Sequence, residues 1–212
     1  MKVVCINGSP RTSWNTAQMV KSAMKGCEDA GAEVKYYDIF GMNGKGCQSC
    51  FACKLLGGKS YGKCAFQDDF TPVLEDIMSA DALILGSPVY FSDVTACVRA
   101  LCERLWFAVL AYSSTDKCLN KHRIPVKIIF TENCPMPGFH KALNELMVNT
   151  MNRLIGPAEL LEAVNTMQFS DYSKYETSMF DVHDRIKTHE EIFPLDLQKA
   201  YELGKKAVAE AQ

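Results

Sequence analysis

The chain lacks a marked excess of charge of either sign. Its 23 basic and 25 acidic residues leave a formal net charge of −2, and it has no basic run, so nucleic acid and anionic membranes are not expected partners. Long apolar runs are also missing, since the longest, LWFAVLAY at 105–112, is far shorter than the roughly 18 residues of a membrane span. The opening stretch MKVVCINGSP is too poor in apolar residues for a secretory signal peptide. We therefore expect a cytoplasmic protein.

The absence of an export signal determines how the ten cysteines are interpreted. The cytosol keeps thiols reduced, so a disulfide framework is not expected. Cys5 lies in an apolar strand-like stretch, and Cys97 and Cys102 lie in a helix-like stretch. Cysteine packs as a small apolar residue, and we predict that these three thiols belong to the core.

Strand-like and helix-like patterns alternate along the chain. The predicted strands cover 2–7, 32–39, 81–87, 125–132 and 158–165, and the predicted helices cover 16–30, 69–79, 93–112, 139–154 and 195–211. This alternation implies right-handed βαβ crossovers and a parallel sheet. We predict an α/β, flavodoxin-like, doubly wound five-stranded sheet in the order 2-1-3-4-5, with helices on both faces. Residues 1–212 would form one domain with a C-terminal extension at about 166–212, in which 166–193 show no clear pattern.

In that strand order a ligand binds beyond the carboxyl ends of the first and third strands. The loop after the first strand, GSPRTSWNT at 8–16, lacks both the G-x-G-x-x-G of dinucleotide folds and the G-K-[ST] of P-loops. It is rich in donors that suit a terminal phosphate monoester at a helix N-terminus. An ordinary capped turn is the alternative. The donors are the hydroxyls of Ser9, Thr12, Ser13 and Thr16, the amide of Asn15 and the guanidinium of Arg11.

The same stretch contains a competing motif. CINGSPR has the C-x5-R spacing of low-molecular-weight tyrosine phosphatases, with Cys5 as nucleophile and Arg11 as the phosphate clamp. Two features oppose this reading. Cys5 lies within the apolar strand rather than in the turn, and the chain contains no Asp-Pro to supply the general acid of that family. A phosphatase is therefore a remote alternative.

The loop after the third strand favours a flavin. GSPVYFSD at 86–93 combines apolar and aromatic side chains with backbone N–H groups, as a flat isoalloxazine ring requires. A strand that merely ends in aromatics is the alternative. Together with the phosphate loop, this stretch makes FMN the most economical ligand. The residues expected at the ring are Pro88, Val89, Tyr90 and Phe91.

At this point the chain resembles a known family. GSPR followed by NT, the cysteine loop running into DDF, and ADALILGSPVYF are similar to flavodoxin-fold NADPH-dependent FMN reductases, especially to the branch that includes iron–sulfur flavoproteins. The likeness covers roughly residues 1–165. It implies that Ser9, Arg11, Ser13, Asn15 and Thr16 hold the FMN phosphate, that Pro88 to Phe91 hold the ring, and that Thr131 and Asn133 lie on its far side.

The resemblance also implies an activity and an assembly. NAD(P)H would reduce the bound FMN, which would pass electrons to a quinone, a flavin or another redox partner. Because the chemistry belongs to the cofactor, no acid–base residue is assigned, and the four histidines are given no role. Homodimers or homotetramers are expected, and the 166–193 segment, with Tyr172 and Tyr175, is a candidate cover for a neighbouring subunit's site.

The stretch CQSCFACK contains a separate motif. Cys47, Cys50 and Cys53 have the C-x2-C-x2-C spacing of ferredoxin-type ligands, and Cys64 follows after ten residues. Iron–sulfur flavoproteins close their motif after a shorter interval. The loop leaves the carboxyl end of the second strand, where the flavin is also expected. Three alternatives stay open: a [4Fe–4S] cluster, which would favour an electron carrier; zinc; or a loop without metal.

Overall fold

Apolar, β-branched stretches form the strands of the computed structural model, which describes residues 1–212. The strands are β1 (Lys2–Asn7), β2 (Glu33–Asp38), β3 (Ala82–Tyr90), β4 (Asp93–Val94), β5 (Val126–Thr131) and β6 (Ala158–Ala163). The α-helices are α1 (Asn15–Asp29), α2 (Phe70–Ser79), α3 (Ala96–Val109), α4 (Lys141–Leu154), α5 (Val182–Lys187) and α6 (Phe193–Glu210). No helix combines the length and apolar character needed to cross a bilayer.

Five strands pair in parallel in the order β2-β1-β3-β5-β6, which confirms the predicted fold class and the order 2-1-3-4-5 of the predicted strands. A sixth strand, the two-residue β4, was not predicted. It pairs antiparallel with the end of β3, where Val89 lies opposite Val94. β3 also extends beyond its predicted end because Pro88 pairs with Thr131 of β5. These tertiary pairings lengthen a strand that its own sequence pattern would end earlier.

Helices cover both faces of the sheet. On one face, α2, α3 and α4 contribute to a cluster of 25 buried apolar residues, and on the other, α1 and α6 contribute to a cluster of 16. Cys5 and Cys102 are fully buried in these clusters and Cys97 packs at the edge of one, as predicted. Burial raises the pKa of Cys102 to about 12, as expected for a thiol that packs rather than reacts.

The contact between α1 and α6 depends on two glycines. A Cβ at Gly26 would overlap the carbonyl oxygen of Tyr201, and one at Gly204 would overlap that of Ala23. The helices therefore approach backbone to backbone, and the Cys27 thiol donates a hydrogen bond to the carbonyl of Gly204 at 3.3 Å. This close approach fixes α1, whose first turn faces the carboxyl edge of the sheet.

The stretch at 166–193, which showed no clear sequence pattern, contains a short 3-10 turn (Tyr172–Lys174), α5 and one π-helical turn (Thr188–Ile192) that leads into α6. Its aromatic side chains pack on one another, with Phe169 stacked on Tyr175 at a centroid distance of 3.9 Å. Tertiary contacts among rings that are distant in sequence organise the segment, and local periodicity does not reveal such contacts.

Candidate functional site

A cleft lies at the carboxyl ends of β1, β3 and β5, the edge predicted for ligand binding. Its cavity volume is about 100 Å³, and the cleft is open to solvent. Nine of the eleven residues predicted to bind FMN line it. They are Ser9, Arg11, Asn15, Thr16, Pro88, Val89, Tyr90, Thr131 and Asn133.

The first loop is shaped by its own hydrogen bonds. Asn7, at the end of β1, accepts a hydrogen bond from the Ser9 backbone N–H at 3.1 Å, and the Ser9 hydroxyl accepts one from the Arg11 backbone N–H at 3.1 Å. The Ser9 hydroxyl hydrogen therefore stays available to a ligand. α1 begins at Asn15 without a side-chain cap, so the N–H groups of its first turn face the cleft edge as an anion site.

Two buried hydroxyls join the loops. The Thr16 and Thr131 Oγ1 atoms lie 2.7 Å apart, and both residues are almost completely buried. One hydroxyl donates to the other, which leaves one hydroxyl hydrogen free. Asn15 adds an acceptor, since its Nδ2 donates to the carbonyl of Met167 at 2.8 Å while its buried Oδ1 has no partner. A ligand with both a phosphate and hydroxyl groups, such as FMN, fits this set of donors and one acceptor.

Three further residues that the sequence analysis missed also line the cleft: Trp14, Thr166 and Gln168. The carbonyl of Gln168 accepts a hydrogen bond from Arg11 Nη1 at 2.6 Å, and that of Met167 accepts one from Trp14 Nε1 at 3.0 Å. The segment after β6 thus closes over this chain's own phosphate loop. Its position at the carboxyl end of a predicted strand was the available signal.

Two predicted residues, Ser13 and Phe91, do not line the cleft, and their part in FMN binding stays a prediction. Ser13 is exposed on the outer side of the loop, where its carbonyl accepts a hydrogen bond from Gln18. Phe91 is fully exposed because both it and Ser92 adopt a left-handed backbone, with φ of 51° and 61°, which turns the chain away from the cleft.

The structure does not favour the phosphatase alternative. Cys5 is completely buried in the core beneath the loop, and it does not line the cleft. A hydrogen bond with Cys27 and burial raise the pKa of the Cys5 thiol well above its usual range. A nucleophilic cysteine requires an accessible sulfur and a lowered pKa, so Cys5 has neither property.

The four cysteines of the loop line a second, small cavity with a volume of about 20 Å³. The 3-10 turn Ala52–Lys54 places Cys53 at the inner side, where burial raises the pKa of its thiol. The ten-residue insertion before Cys64 folds back, as the Cys53 carbonyl accepts a hydrogen bond from the N–H of Gly62 at 3.0 Å. Cys47, Cys50, Cys53 and Cys64 therefore share one cavity despite the unusual interval.

Charged side chains surround this cavity. Arg104 is completely buried, forms an ion pair with Asp68 and donates a hydrogen bond from Nε to the Cys64 sulfur at 3.3 Å. Lys54 donates to carbonyls at the end of α3, and Cys47 N–H donates to Glu103 Oε2 at 3.1 Å. Two cations beside four thiols offset negative charge at the cavity.

The two sites lie at different positions along α3. Thr95, just before the helix, donates a hydrogen bond to the Gly8 carbonyl in the phosphate loop at 2.8 Å. Arg104 and Ala108, which line the cysteine cavity, follow nine and thirteen residues later. At about 1.5 Å per residue this corresponds to roughly 13–20 Å along the helix axis. The cysteine loop thus extends along α3 rather than staying at the flavin edge.

A family described as NADPH-dependent FMN reductase matches residues 1–122. Among curated proteins, an iron–sulfur flavoprotein from Methanocaldococcus jannaschii is 36% identical over 104 residues, which are 49% of this chain and 51% of that protein. An iron–sulfur flavoprotein from Archaeoglobus fulgidus is 28% identical over 162 residues, 76% of this chain and 74% of that protein. Most matches span about half the length of the relative.

Solved structures share the fold. An NAD(P)H:quinone oxidoreductase from Methanothermobacter marburgensis aligns with a TM-score of 0.68 at 17% identity, over 97% of this chain and 96% of that one. An FMN-dependent NADH-azoreductase from Bacillus anthracis, solved in complex with FMN, aligns with a TM-score of 0.62 at 13% identity, over 98% and 97% of the two chains. At such identities the likeness shows the fold alone. A flavodoxin from the domain Archaea aligns with a TM-score of 0.53 at 12% identity, over 100% and 99% of the two chains, which confirms the flavodoxin-like class.

Proposed function

The chain belongs to the NADPH-dependent FMN reductase family, and on this premise we propose that it passes electrons from NAD(P)H, through bound FMN, to a quinone, a flavin or a protein acceptor. The observation that carries the proposal is the single cleft at the switch point of the sheet, where nine of eleven independently predicted residues meet. Bound FMN would supply the electron-carrying ring, and the chain would supply its position and surroundings.

The phosphate end of FMN would bind at the start of α1. Arg11 is held at the cleft mouth by its bond to the Gln168 carbonyl and by the Trp14 ring, 4.9 Å away, so that its remaining guanidinium donors can meet a phosphate. The uncapped first turn of α1 and the free hydroxyl hydrogens of Ser9 and of the Thr16–Thr131 pair add donors. Asn15 Oδ1 would accept from a ribityl hydroxyl.

The ring would lie against the end of β3. Pro88 and Val89 are half-buried and Tyr90 is 46% exposed, so they offer an apolar surface that is partly open to solvent. Asn133, after β5, lies across the cleft. The cleft remains open at this end, as transfer between NAD(P)H and an acceptor requires. The geometry does not favour one acceptor over another.

Substitution of Arg11 tests the phosphate seat. Arg11→Ala should weaken FMN binding about tenfold, because it removes a charge-assisted donor worth about 1.4 kcal/mol. Arg153→Ala is the matched control, since Arg153 is exposed on α4 and has no side-chain hydrogen bond. Equal FMN affinities in the two variants, measured by fluorescence titration, would place the phosphate elsewhere.

Anaerobic stopped-flow absorbance tests the reaction. NADH or NADPH should bleach the flavin of the FMN-loaded protein within seconds. If dithionite bleaches the flavin and neither nicotinamide does so, the protein is an electron carrier and not a reductase. The FMN-binding result is independent of this outcome.

We propose, second, that the cysteine cavity holds a [4Fe–4S] cluster. All four thiols line one cavity, but no three of them lie within 4.8 Å of one another. Four sulfurs around a single zinc ion, at about 2.3 Å from the metal, would lie only about 3.8 Å apart. The wider arrangement suits a cluster with several metal atoms, and the cations Arg104 and Lys54 suit its negative charge. Relatives named iron–sulfur flavoproteins support the proposal.

Metal analysis of anaerobically purified protein tests the cluster. About four irons and four sulfides per chain are expected, in addition to FMN. Cys50→Ala should remove the iron and leave the FMN, because the phosphate and ring loops are separate segments. Cys118→Ala is the matched control, since Cys118 lies outside the cavity. Zinc in place of iron, or no metal after anaerobic reconstitution, would refute the cluster without affecting the FMN proposal.

We also propose that subunits associate, as the resemblance implies. Phe91 and Met179 are almost completely exposed apolar side chains, which an interface would bury. Light scattering coupled to size-exclusion chromatography should give a dimer or tetramer, and a monomer at micromolar concentration would exclude this assembly.

A further inference from the structure

Three metal-binding residue types meet in the loop that follows β5. The Cys134 sulfur lies 2.8 Å from Glu132 Oε2, and His140 Nε2 lies 3.6 Å from the same oxygen. The three candidate ligand atoms all lie within 4.8 Å of one another, and this is the one such trio of Cys, His, Asp or Glu in the structure. None of the three residues lines the FMN cleft or the cysteine cavity.

Hydrogen bonding alone does not account for the three side chains, because one carboxylate oxygen of Glu132 is left without a partner. Its side chain has no exposed surface, and its second oxygen, Oε1, is buried without any partner. A buried carboxylate oxygen with no donor costs free energy unless a proton or a cation compensates it. The nearest cationic candidate, His140, contacts only Oε2, at 3.6 Å.

A second carboxylate increases the need for a cation. Glu162 lies on β6, one strand away, with its Cα paired to that of Phe130. Its Oε1 accepts hydrogen bonds from Gly138 N at 3.0 Å and Asn144 Nδ2 at 2.8 Å, which fixes the carboxylate beside the loop. A second carboxylate held at the same loop adds negative charge that a bound cation would offset.

The ligand types identify the metal class. One thiolate, one imidazole and one carboxylate match the mixed sulfur, nitrogen and oxygen preference of Zn²⁺, whereas Mg²⁺ and Ca²⁺ take oxygen ligands. In a tetrahedral zinc site, sulfur and oxygen ligands lie about 3.6 Å apart. The 3.6 Å between His140 and Glu132 is close to the nitrogen–oxygen spacing of such a site, and the Cys134 sulfur must move out by less than about 1 Å.

We propose that Glu132, Cys134 and His140 bind one zinc ion, with the fourth position left to water. On binding, the Cys134 thiol releases its proton to solvent, so the thiolate and the Glu132 carboxylate neutralise the two positive charges. The ion links the end of β5 to the start of α4 and thereby fixes the intervening loop, which carries the cleft residue Asn133 and the exposed side chains Met136 and Phe139. The site is independent of the FMN and cluster proposals.

Equilibrium dialysis tests the site on FMN-loaded protein that was first treated with a chelator. A Cys47→Ala/Cys50→Ala/Cys53→Ala background removes three of the four thiols of the competing cysteine cavity, and metal is measured by mass spectrometry. We expect one zinc per chain in this background, and binding more than about 100-fold weaker when Cys134→Ala or His140→Ala is added, because even second-shell changes cost 10–100-fold. Cys118→Ala is the matched thiol control and should keep the zinc. FMN content reports whether each variant is folded.

Cobalt provides a readout that needs no substitution within the site. Co²⁺ bound tetrahedrally with a thiolate should give visible d–d absorption at wavelengths beyond the flavin bands in the same triple-alanine background. Any of three results would overturn the proposal: no stoichiometric zinc in this background, unchanged zinc affinity in both the Cys134→Ala and His140→Ala variants, or cobalt binding without thiolate bands. The last two would place the metal elsewhere, and the first would leave Glu132 and Cys134 joined only by a hydrogen bond.

Discussion

The hydroxyl pair of Thr16 and Thr131 offers a measurement of how α1 and β5 cooperate at the cleft. The two Oγ1 atoms lie 2.7 Å apart in a nearly dry environment. Thr16→Val keeps the shape of the side chain but removes the hydroxyl at the start of α1, so the phosphate loses that donor and only the Thr131 hydroxyl of the pair remains. A hydrogen bond to a charged group is worth about 1.5–3 kcal/mol, and FMN affinity should fall about 10- to 150-fold.

The double variant separates ligand binding from folding. In the FMN-free protein, each single substitution leaves one buried hydroxyl without its partner, at a cost of about 1–3 kcal/mol. Thr16→Val with Thr131→Val leaves neither, so the loss of unfolding free energy should be smaller than the sum of the single losses, with a coupling of about 0.5–3 kcal/mol. FMN affinity should nevertheless be no higher than in Thr16→Val alone, because the double variant restores no donor.

Urea denaturation of the FMN-free variants and fluorescence titration with FMN give the two quantities. Additive losses of stability would show that the hydroxyls do not interact as the structure places them. FMN affinity within twofold of wild type in Thr16→Val would show that the Thr16 hydroxyl does not contact the phosphate, even if the coupling in stability is found.

Two further predictions concern stability. Gly204→Ala should destabilise the protein by more than about 1 kcal/mol in thermal denaturation, because the new Cβ would overlap the carbonyl of Ala23. This loss would exceed the gain of about 1 kcal/mol that alanine normally gives over glycine in a helix interior. Gly41→Ala is the control, since a Cβ at Gly41 meets open space. Burial acts to raise the pKa of Asp76, but hydrogen bonds from Lys2, Lys35 and Tyr37 hold this pKa below its usual range. The ionised Asp76 carboxylate therefore stabilises the fold above about pH 4, and this stabilisation is lost as the pH falls further. Asp76→Asn should therefore reduce stability at pH 7 and flatten the acid side of the stability profile, and an unchanged profile would contradict the assignment.

The sequence predicted most of the sheet because its central strands are short apolar runs bounded by turn residues. β1 and β5, buried along their length, are examples in which local composition and final environment agree. β4 and the end of β3 could not be found in this way. Their pairing, Val89 with Val94, exists only because Phe91 and Ser92 adopt left-handed backbone conformations. A turn of this kind has no signature in the side chains, since neither residue is glycine or asparagine.

In the cleft, too, some residues could be predicted from the sequence and others could not. The loops after the first and third strands, together with the family resemblance, predicted most of its lining, because topology determines which loops meet. Gln168 and Met167 were missed because they act through backbone carbonyls, which any residue possesses. Likewise, the spacing of Glu132, Cys134 and His140 resembles no metal motif. Those residues come together because the loop folds back on itself before α4.

In the cysteine loop, the sequence reveals the candidate ligands but not their geometry, which is why three alternatives stayed open. The C-x2-C-x2-C spacing selects candidate ligands, but cluster and zinc differ in how far apart the sulfurs lie, and that distance is set by other elements. Here α3 sets it: Arg104 bonds the Cys64 sulfur, and Lys54 ties the turn at Cys53 to the end of the helix. Arg104→Gln should therefore alter the cluster rather than abolish it. With one hydrogen bond and one cation fewer at a sulfur, a [4Fe–4S] cluster should shift to a lower reduction potential. Potentiometry that finds the same potential in Arg104→Gln and wild type would show that this bond does not reach a cluster ligand.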